Sequence, residues 1–416
     1  MWLWLDKHLN INNLTLYNLM KHFISLAIAA SLAFSAFAAD EPTDSAKIGF
    51  QFTDQITIPT NSVKDQNKSG TCWCFSGLSF IEDDILRRTG QSVDLSEMFI
   101  VRHCYQAKAD RFVRMYGQAN FAPGGSFADV IWGIQNYGLV PEEAYTGLQY
   151  GEDKHMHGEL DAILSGLVHA VVAKPDKYIT PAWPRALAGV LDAYLGVLPE
   201  SFTVNGKSFT PQTYAKSLGV NPDDFIAITS FTHHPFGTYF SLEIPDNWLN
   251  APYLNVTLDQ LKATVDNALA NGYSVAWAAD VSEDGFKWKE GVALMPAGKD
   301  ESGLEGTELA RWTTLSDKDR VAERYAFTGP VPEETVTQES RQRMFDSQQT
   351  TDDHGMVIVG TAVDQEGNHY YKVKNSWDTN QVYNGYIYVS DAFFLAKTLS
   401  IMVNRKAVPA GIVPAK

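Results

Sequence analysis

Hydrophobic residues recur every three to four positions through much of the first third of the chain, and this spacing predicts helices. The predicted helices span 72–88 with Gly90 as the stop, begin near 94 with Ser96 as the cap, and follow 123–130 as far as Tyr137. The first 150 residues are therefore predicted to be mainly helical.

The pattern changes towards the C-terminus, where apolar runs bounded by turn residues predict strands. The predicted strands are 273–281, 354–363, 369–377, 384–390 and 398–408. Between the two parts, residues 151–250 contain eight prolines, several of which, including Pro184, are interpreted as breaks. The clearer patterns are a short helix at 210–219 and an amphipathic helix at 258–272. A helical part followed by a β part predicts an α+β chain with two lobes, and a cleft between lobes is a usual place for a site.

The N-terminus has the pattern of an export signal. A short positive start at Met20 precedes the apolar run 23–37, and Ala36-Phe37-Ala38 fits a signal-peptide cleavage site. The run is short for a membrane span, which needs about 20 residues, although an uncleaved anchor is the alternative. We therefore expect an exported protein, periplasmic or secreted, without stable membrane insertion after cleavage. The expected organisation is a leader and signal peptide at 1–38, a helical lobe at 39–150, an insertion at 151–257, a β lobe at 258–406 and a tail at 407–416.

The chain is acidic, with a formal net charge of -16 over 416 residues. A general phosphate-binding surface needs positive charge, so this balance argues against a nucleic-acid partner. The sequence contains no phosphate-binding loop or dinucleotide fingerprint. The abundant tryptophan and tyrosine residues are therefore interpreted as core and cleft lining.

Cys72 has the position of a nucleophile, because it opens the first predicted helix after a Gly-containing turn. The positive end of a helix and a neighbouring histidine both favour the thiolate. Among ten histidines, His354 is distinguished by its place at the start of a buried-looking strand. The next strand carries Asn375, which a hairpin brings back beside His354 to orient its ring, and Trp377, which shields that contact. Gln66 lies six residues before Cys72 and supplies an amide N–H for an oxyanion.

These residues resemble the motifs of the papain-like cysteine peptidases. The matching pieces are Gln66 with Cys72-Trp73, then His354-Gly355, then Asn375-Ser376-Trp377. Segments 124–145, 208–219, 233–248 and 350–360 are similar to the bleomycin hydrolase/aminopeptidase C branch, and the resemblance covers roughly 48–406. It implies a papain-like two-lobe fold, with a helical lobe, an antiparallel β-barrel-like lobe and a large insertion.

The resemblance also implies the residue roles. Cys72 is the nucleophile, His354 its acid/base partner, Asn375 the orienting residue and Gln66 an oxyanion donor. The substrate-binding residues that it implies are Gly124 and Gly125, whose backbone holds an extended peptide, together with Trp73 and Trp377. The branch further implies a homohexamer, no cofactor, and a chain terminus that lies in the cleft and binds the substrate's amino group.

Three features depart from the family pattern. Ser69 stands where many members have a cysteine, Asp378 replaces the usual glycine after Asn-Ser-Trp, and the tail after Asn375 is short.

The other cysteines and histidines give weaker signals. Cys74 and Cys104 either form a disulfide that leaves Cys72 free, as export would favour, or are both buried thiols. The pairs His155/His157 and His233/His234 lack the further ligands that would complete a zinc site, so no metal is expected.

The sequence therefore predicts a cysteine peptidase acting on peptides, most simply an aminopeptidase that works through a thioester. The alternatives are an endopeptidase with an open cleft and a catalytically silent binding protein with the same fold.

Overall fold

The fold is built on the helix that begins at Cys72, as a computed structural model describing residues 49–299 and 304–414 shows. The predicted leader and signal peptide lie outside the described residues. The helices are α1 (Cys72–Thr89), α2 (Glu97–Arg114), α3 (Phe127–Tyr137), α4 (Gly158–Ala173), α5 (Trp183–Leu195), α6 (Pro211–Ser217), α7 (Leu258–Ala270), α8 (Gly306–Thr314), α9 (Asp317–Arg324), α10 (Gln338–Asp346) and α11 (Asp391–Lys397).

The strands belong to one large sheet and one small hairpin. They are β1 (Thr53–Thr57), β2 (Phe202–Val204), β3 (Lys207–Phe209), β4 (Phe225–Thr229), β5 (Tyr239–Ser241), β6 (Pro252–Asn255), β7 (Val275–Ala279), β8 (Phe286–Lys287), β9 (Val292–Ala293), β10 (His354–Val363), β11 (His369–Lys374), β12 (Tyr386–Ser390) and β13 (Thr398–Asn404). The hairpin is β2–β3, and the large sheet has the order β5-β6-β4-β13-β7-β10-β11-β12-β9-β8, with β1 added beside β10.

The predicted helix ends agree with the structure. Gly90 terminates α1 with φ of 71°, a left-handed conformation that glycine adopts without a Cβ clash. The hydroxyl of Ser96 accepts a hydrogen bond from the Phe99 backbone N–H at the start of α2. The apolar face of α1, which includes Leu78 and Ile81, is fully buried. Helical spacing therefore identified both the element and its core-facing side.

The α+β class and the papain-like fold are confirmed, but the sheet differs from the expected antiparallel barrel. It is open, since its terminal strands β5 and β8 do not pair with each other. It is also mixed, because β4 pairs with β6, and β9 with β12, in parallel. The predicted insertion 151–257 contributes β4, β5 and β6 to this sheet, and β1 crosses from the predicted helical lobe to pair with β10.

The start of β10 lies directly on the first turn of α1. A Cβ placed on Gly355 would stand 2.7 Å from Ser76 Oγ and 3.3 Å from Trp73 Cα. Any side chain at position 355 would therefore push the strand away from the helix. This close approach is what places His354, the first residue of β10, beside the start of α1.

Candidate active site

Cys72 is the first residue of α1 and is partly exposed, with a free thiol. The backbone N–H groups of Gly355 and Trp73 hydrogen bond to its sulfur. Cys72 and His354 line the same cleft. The structure therefore brings the predicted nucleophile and its predicted partner to one site.

His354 is oriented by Asn375, as the sequence predicts. The ring Nε2 lies 2.7 Å from Asn375 Oδ1, and the Trp377 ring covers the pair with its centroid 4.4 Å from the imidazole centroid. Because a side-chain carbonyl oxygen only accepts, Nε2 must carry the proton of the neutral ring. Nδ1 is then the free acceptor. The arrangement leaves the basic nitrogen of His354 available for the thiol proton.

Gln66 is buried and fixed at both ends of its amide. Its Oε1 accepts from Ser376 Oγ at 2.7 Å, and its Nε2 donates to the Ser69 carbonyl at 2.9 Å. The amide retains a second N–H, which is the group an oxyanion needs. Ser69, at the position of the missing cysteine, also bonds the Gln66 carbonyl and the Thr71 hydroxyl. The departure from the family pattern therefore leaves the loop tied together by hydrogen bonds.

Of the glycine pair, Gly125 lines the cleft and Gly124 directly precedes it. Gly125 and Trp73 both line the cleft, and a Cβ on Gly125 would come within 2.9 Å of the Trp73 ring. A Cβ on Gly124 would stand 2.0 Å from Asp246 Oδ2. Trp73 is held in place by its Nε1, which donates to the Pro123 carbonyl at 3.0 Å. A side chain at either position would therefore clash with its neighbours.

Asp378 adopts a left-handed backbone with φ of 66°. This explains why glycine is usual at that position. The Asp378 carboxylate accepts from the Thr379 backbone N–H at 2.6 Å, a local bond of the kind that lets aspartate tolerate this conformation.

The cleft also contains residues that sequence reasoning missed. Its wall is completed by Ile244, Asp246, Tyr253, Ala278, Asp352, Asp353 and Ser400. Three of them come from the predicted insertion, which therefore forms part of the site. The run Thr351-Asp352-Asp353 before His354 was a visible signal, but the sequence does not show that either aspartate faces the nucleophile.

The surroundings favour the uncharged forms of both Cys72 and His354. Burial, together with the charges of Asp352 and Asp246, raises the pKa of the Cys72 thiol to about 12, although the two backbone N–H bonds lower it. Burial lowers the pKa of His354 to about 4, against the opposing effect of Asn375. At neutral pH the resting pair is therefore a thiol and a neutral imidazole.

The disulfide suggested for Cys74 and Cys104 is absent. Both residues are free, buried thiols. Cys74 Sγ donates to the Glu97 carbonyl at 3.4 Å, in the first turn of α2. The alternative of two buried thiols is correct.

The histidine pairs have structural partners. His233 and His234 each place Nε2 within 3.0 Å of the Glu243 carboxylate, and the three side chains are close enough to hold a cation. His155 and His157 are buried, and burial lowers the pKa of each to about 4. In the described parts of the chain, no third ligand joins that second pair.

Two family profiles match the chain. The one described as "Papain family cysteine protease" matches residues 51–169, which contain Gln66 and Cys72. The one described as "Peptidase C1-like family" matches residues 325–415, which contain His354 and Asn375. The two matches divide the predicted catalytic residues between them in the order that the sequence predicts.

Relatives of known name match over nearly the whole chain. Aminopeptidase C of Lactobacillus delbrueckii subsp. lactis is 24% identical, with 95% of this chain and 91% of the relative covered. Bleomycin hydrolase of Rattus norvegicus is 22% identical, with coverage of 88% and 85%. Among solved structures, PepW of Lactobacillus rhamnosis HN001 has a TM-score of 0.65 at 21% identity and covers 97% of this chain and 94% of its own. That structural likeness shows the fold.

Proposed function

Since the chain is a papain-like cysteine peptidase of the aminopeptidase C and bleomycin hydrolase branch, we propose that it removes N-terminal residues from peptides through a thioester on Cys72. The observation that carries the proposal is the hydrogen bond of 2.7 Å between His354 Nε2 and Asn375 Oδ1. It leaves Nδ1 free at the cleft that Cys72 lines. Asn375 thereby fixes the tautomer that nucleophilic catalysis requires.

The reaction follows from these contacts. Cys72 transfers its proton to His354 Nδ1 as its sulfur bonds to the scissile carbonyl carbon. The oxygen of that carbonyl becomes an anion, stabilised by the Cys72 backbone N–H and the free N–H of Gln66. His354 then gives its proton to the departing amine, and a thioester remains. Water, with His354 as base, hydrolyses the thioester and restores the thiol.

The discriminating experiment compares alanyl coumarylamide with its acetylated form. An aminopeptidase cleaves the first and spares the second, whereas an endopeptidase with an open cleft accepts the blocked substrate. The Cys72→Ala variant is the background control for both. Equal cleavage of the two substrates would replace the aminopeptidase proposal with the endopeptidase alternative.

Covalent labelling distinguishes an active peptidase from a catalytically silent binding protein with the same fold. A peptide epoxide should label Cys72 in the native protein and fail to label the His354→Ala variant at the same rate, because the imidazole assists the thiol. A native protein that takes no label and cleaves neither substrate would be a binding protein with the same fold.

Export and assembly remain proposals. The signal pattern at 20–38 supports a mature chain that begins near Ala39 outside the cytoplasm, and mass spectrometry of the exported protein tests this. None of the described helices has the length and apolar character needed to cross a membrane. The branch resemblance supports a homohexamer, which light scattering coupled to size-exclusion chromatography tests.

A further inference from the structure

Asp352 is a partly buried residue of the cleft, and its carboxylate has no hydrogen-bond partner for Oδ2 among the described residues. It lies two residues before His354 and lines the same cleft as Cys72. Its Oδ2 is inaccessible to solvent and has no hydrogen-bond partner among the described residues. A buried, unpaired carboxylate oxygen is unfavourable unless a donor or a cation meets it.

The adjacent aspartate, Asp353, differs because its carboxylate accepts several hydrogen bonds. Asp353 accepts from the Ser282 backbone N–H at 3.1 Å, from the Ser282 hydroxyl, and from Thr351 Oγ1 at 3.0 Å. The described part of the chain therefore supplies donors to Asp353 and none to Asp352 Oδ2.

Asp246 brings a second carboxylate to the same cleft from the segment between β5 and β6. Asn120 Nδ2 donates to its Oδ1 at 3.1 Å. Its Oδ2 lies against Gly124, where a Cβ would be only 2.0 Å away. Lys108, whose charge acts on Asp246, donates instead to the carbonyls of Gly124 and Ala122. Neither Asp246 nor Asp352 forms an ion pair within the described parts of the chain.

We propose that Asp352 and Asp246 bind the α-ammonium group of the substrate's first residue, and so make the enzyme an aminopeptidase. The inference rests on the proposed function and names the residues that select for a free amino terminus. In an aminopeptidase substrate the nitrogen and the scissile carbonyl carbon belong to one residue and lie only about 2.5 Å apart. A carbonyl held at Cys72 therefore places its own ammonium within the same small cleft. A peptide with further residues on that side would have to pass both carboxylates.

The charges around Asp352 and Asp246 are those expected of a site that binds a cation. Several ionisable groups besides Asp246 act on Asp352 or line the same cleft. They are Asp353 beside it, Asp129 on α3, Tyr253 on β6, and the pair Cys72 and His354. Burial, followed by the negative charges of Asp246, Asp353 and Asp129, raises the pKa of Asp352 to about 8. Burial also raises the pKa of Asp246, with Lys108 acting in the opposite direction.

The described part of the tail lies elsewhere. Asn404, the last residue of β13, hydrogen bonds to Asp84, which stands twelve residues after Cys72 and hence about 18 Å further along α1. Beyond it, the Ala407 carbonyl accepts from Asn267 of α7. None of residues 405–414 lines the cleft. Ala415 and Lys416 lie outside the described residues, so the terminus as the amino-group ligand stays a prediction that competes with this one.

The test measures kcat and KM for three substrates with the native enzyme and the Asp352→Asn and Asp246→Asn variants. They are alanyl coumarylamide, its acetylated form, and acetyl-lysyl-alanyl coumarylamide, which offers a side-chain ammonium instead. We expect Asp352→Asn to lower kcat/KM for the free-amine substrate roughly 10- to 100-fold, mainly through KM, because a charged hydrogen bond is lost. The acetylated substrate should be cleaved no more slowly than by the native enzyme. Asp317→Asn, a fully exposed site with the same change in charge, is the matched control.

The outcomes separate the possibilities. A native enzyme that cleaves free and acetylated substrates equally well contradicts the proposed function itself. A native preference for the free amine that survives both aspartate substitutions overturns only this inference. If deletion of 410–416 abolishes that preference while Asp352→Asn does not, the chain terminus binds the amino group. If the aspartate variants lose kcat/KM only for the lysyl substrate, the carboxylates bind a side-chain ammonium of the substrate. That result would likewise overturn the inference.

Discussion

Two groups of acidic side chains in the described part of this protein differ in whether a lysine forms ion pairs with them. In the Lys64 cluster, Lys64 Nζ lies 2.7 Å from Glu97, 2.7 Å from Asp94 and 3.3 Å from Glu82. The cleft carboxylates, Asp246 and Asp352, have no such ion pair among the described residues. The first group is complete without a ligand. The second is complete only when a cation arrives, and this difference separates a structural acidic cluster from a binding site.

The largest expected effect comes from removing the cation of the Lys64 cluster. Burial lowers the pKa of Lys64, but the carboxylates of Glu97, Glu82 and Asp94 raise it well above its ordinary value. The stabilising charge is therefore fully present at neutral pH. Lys64→Met leaves buried carboxylates uncompensated and should lower the free energy of unfolding by about 3 to 5 kcal/mol. Urea denaturation monitored by circular dichroism measures this, and an unchanged midpoint would refute the contrast between the groups.

Removing a cleft carboxylate should have the opposite sign. The pKa of Asp352 is raised to about 8 in the folded protein, so between about pH 4 and 8 the folded state retains a proton that the unfolded state has released. Stability therefore falls as the pH rises through that interval. Asp352→Asn cannot ionise and should be more stable than the native protein at about pH 9, by on the order of 1 to 3 kcal/mol. The advantage should vanish near pH 4. Thermal unfolding at both values tests it, and a less stable variant at high pH would contradict the unpaired state of Asp352.

The same carboxylate should appear in the pH dependence of catalysis. Binding an ammonium needs the ionised form of Asp352, which increases as the pH rises towards 8. The substrate's α-amino group loses its proton near a pKa of about 8. For alanyl coumarylamide, kcat/KM should therefore rise to a maximum near pH 8 and then fall. In Asp352→Asn the acidic limb should move to lower pH. An identical limb in both proteins would remove Asp352 from substrate binding.

The smallest expected effect is on the reactivity of the nucleophile. The charges of Asp352 and Asp246 oppose ionisation of Cys72. Asp352→Asn should therefore lower the thiol pKa and accelerate alkylation by iodoacetamide at about pH 8, by roughly two- to fivefold. Asp317→Asn should leave the rate unchanged. A slower reaction in Asp352→Asn would mean that the carboxylate does not act on the sulfur.

The sequence predicted the elements whose signals are local. The period of α1 and the caps at Ser96 and Gly90 depend on neighbouring residues, and the structure reproduces them. The helices α4 and α5 were missed in the proline-rich segment. Pro184, interpreted as a breaker, stands at the start of α5, where a proline is well tolerated. The joining of β4 and β6 to the sheet depends on pairing between distant segments, which no local pattern encodes.

The site was predictable to the same extent. Cys72, His354, Asn375 and Gln66 are recognisable because a reaction requires those residue types in that order. Asp352 and Asp353 are indistinguishable as letters, and only the positions of Ser282 and Thr351 decide which of them is satisfied. Sequence reasoning therefore identified the residues that the structure brings to one cleft, and it missed a carboxylate that is distinguished by having no hydrogen-bond partner among the described residues.

The burial of two of the three cysteines has a practical consequence. Cys74 and Cys104 are closed off in the core, and Cys72 alone among the three reaches the surface. A thiol reagent added to the native protein should therefore attach once per chain, and three times after denaturation. The ratio of the two stoichiometries measures the fraction of correctly folded molecules in a preparation. It does so before any substrate has been chosen.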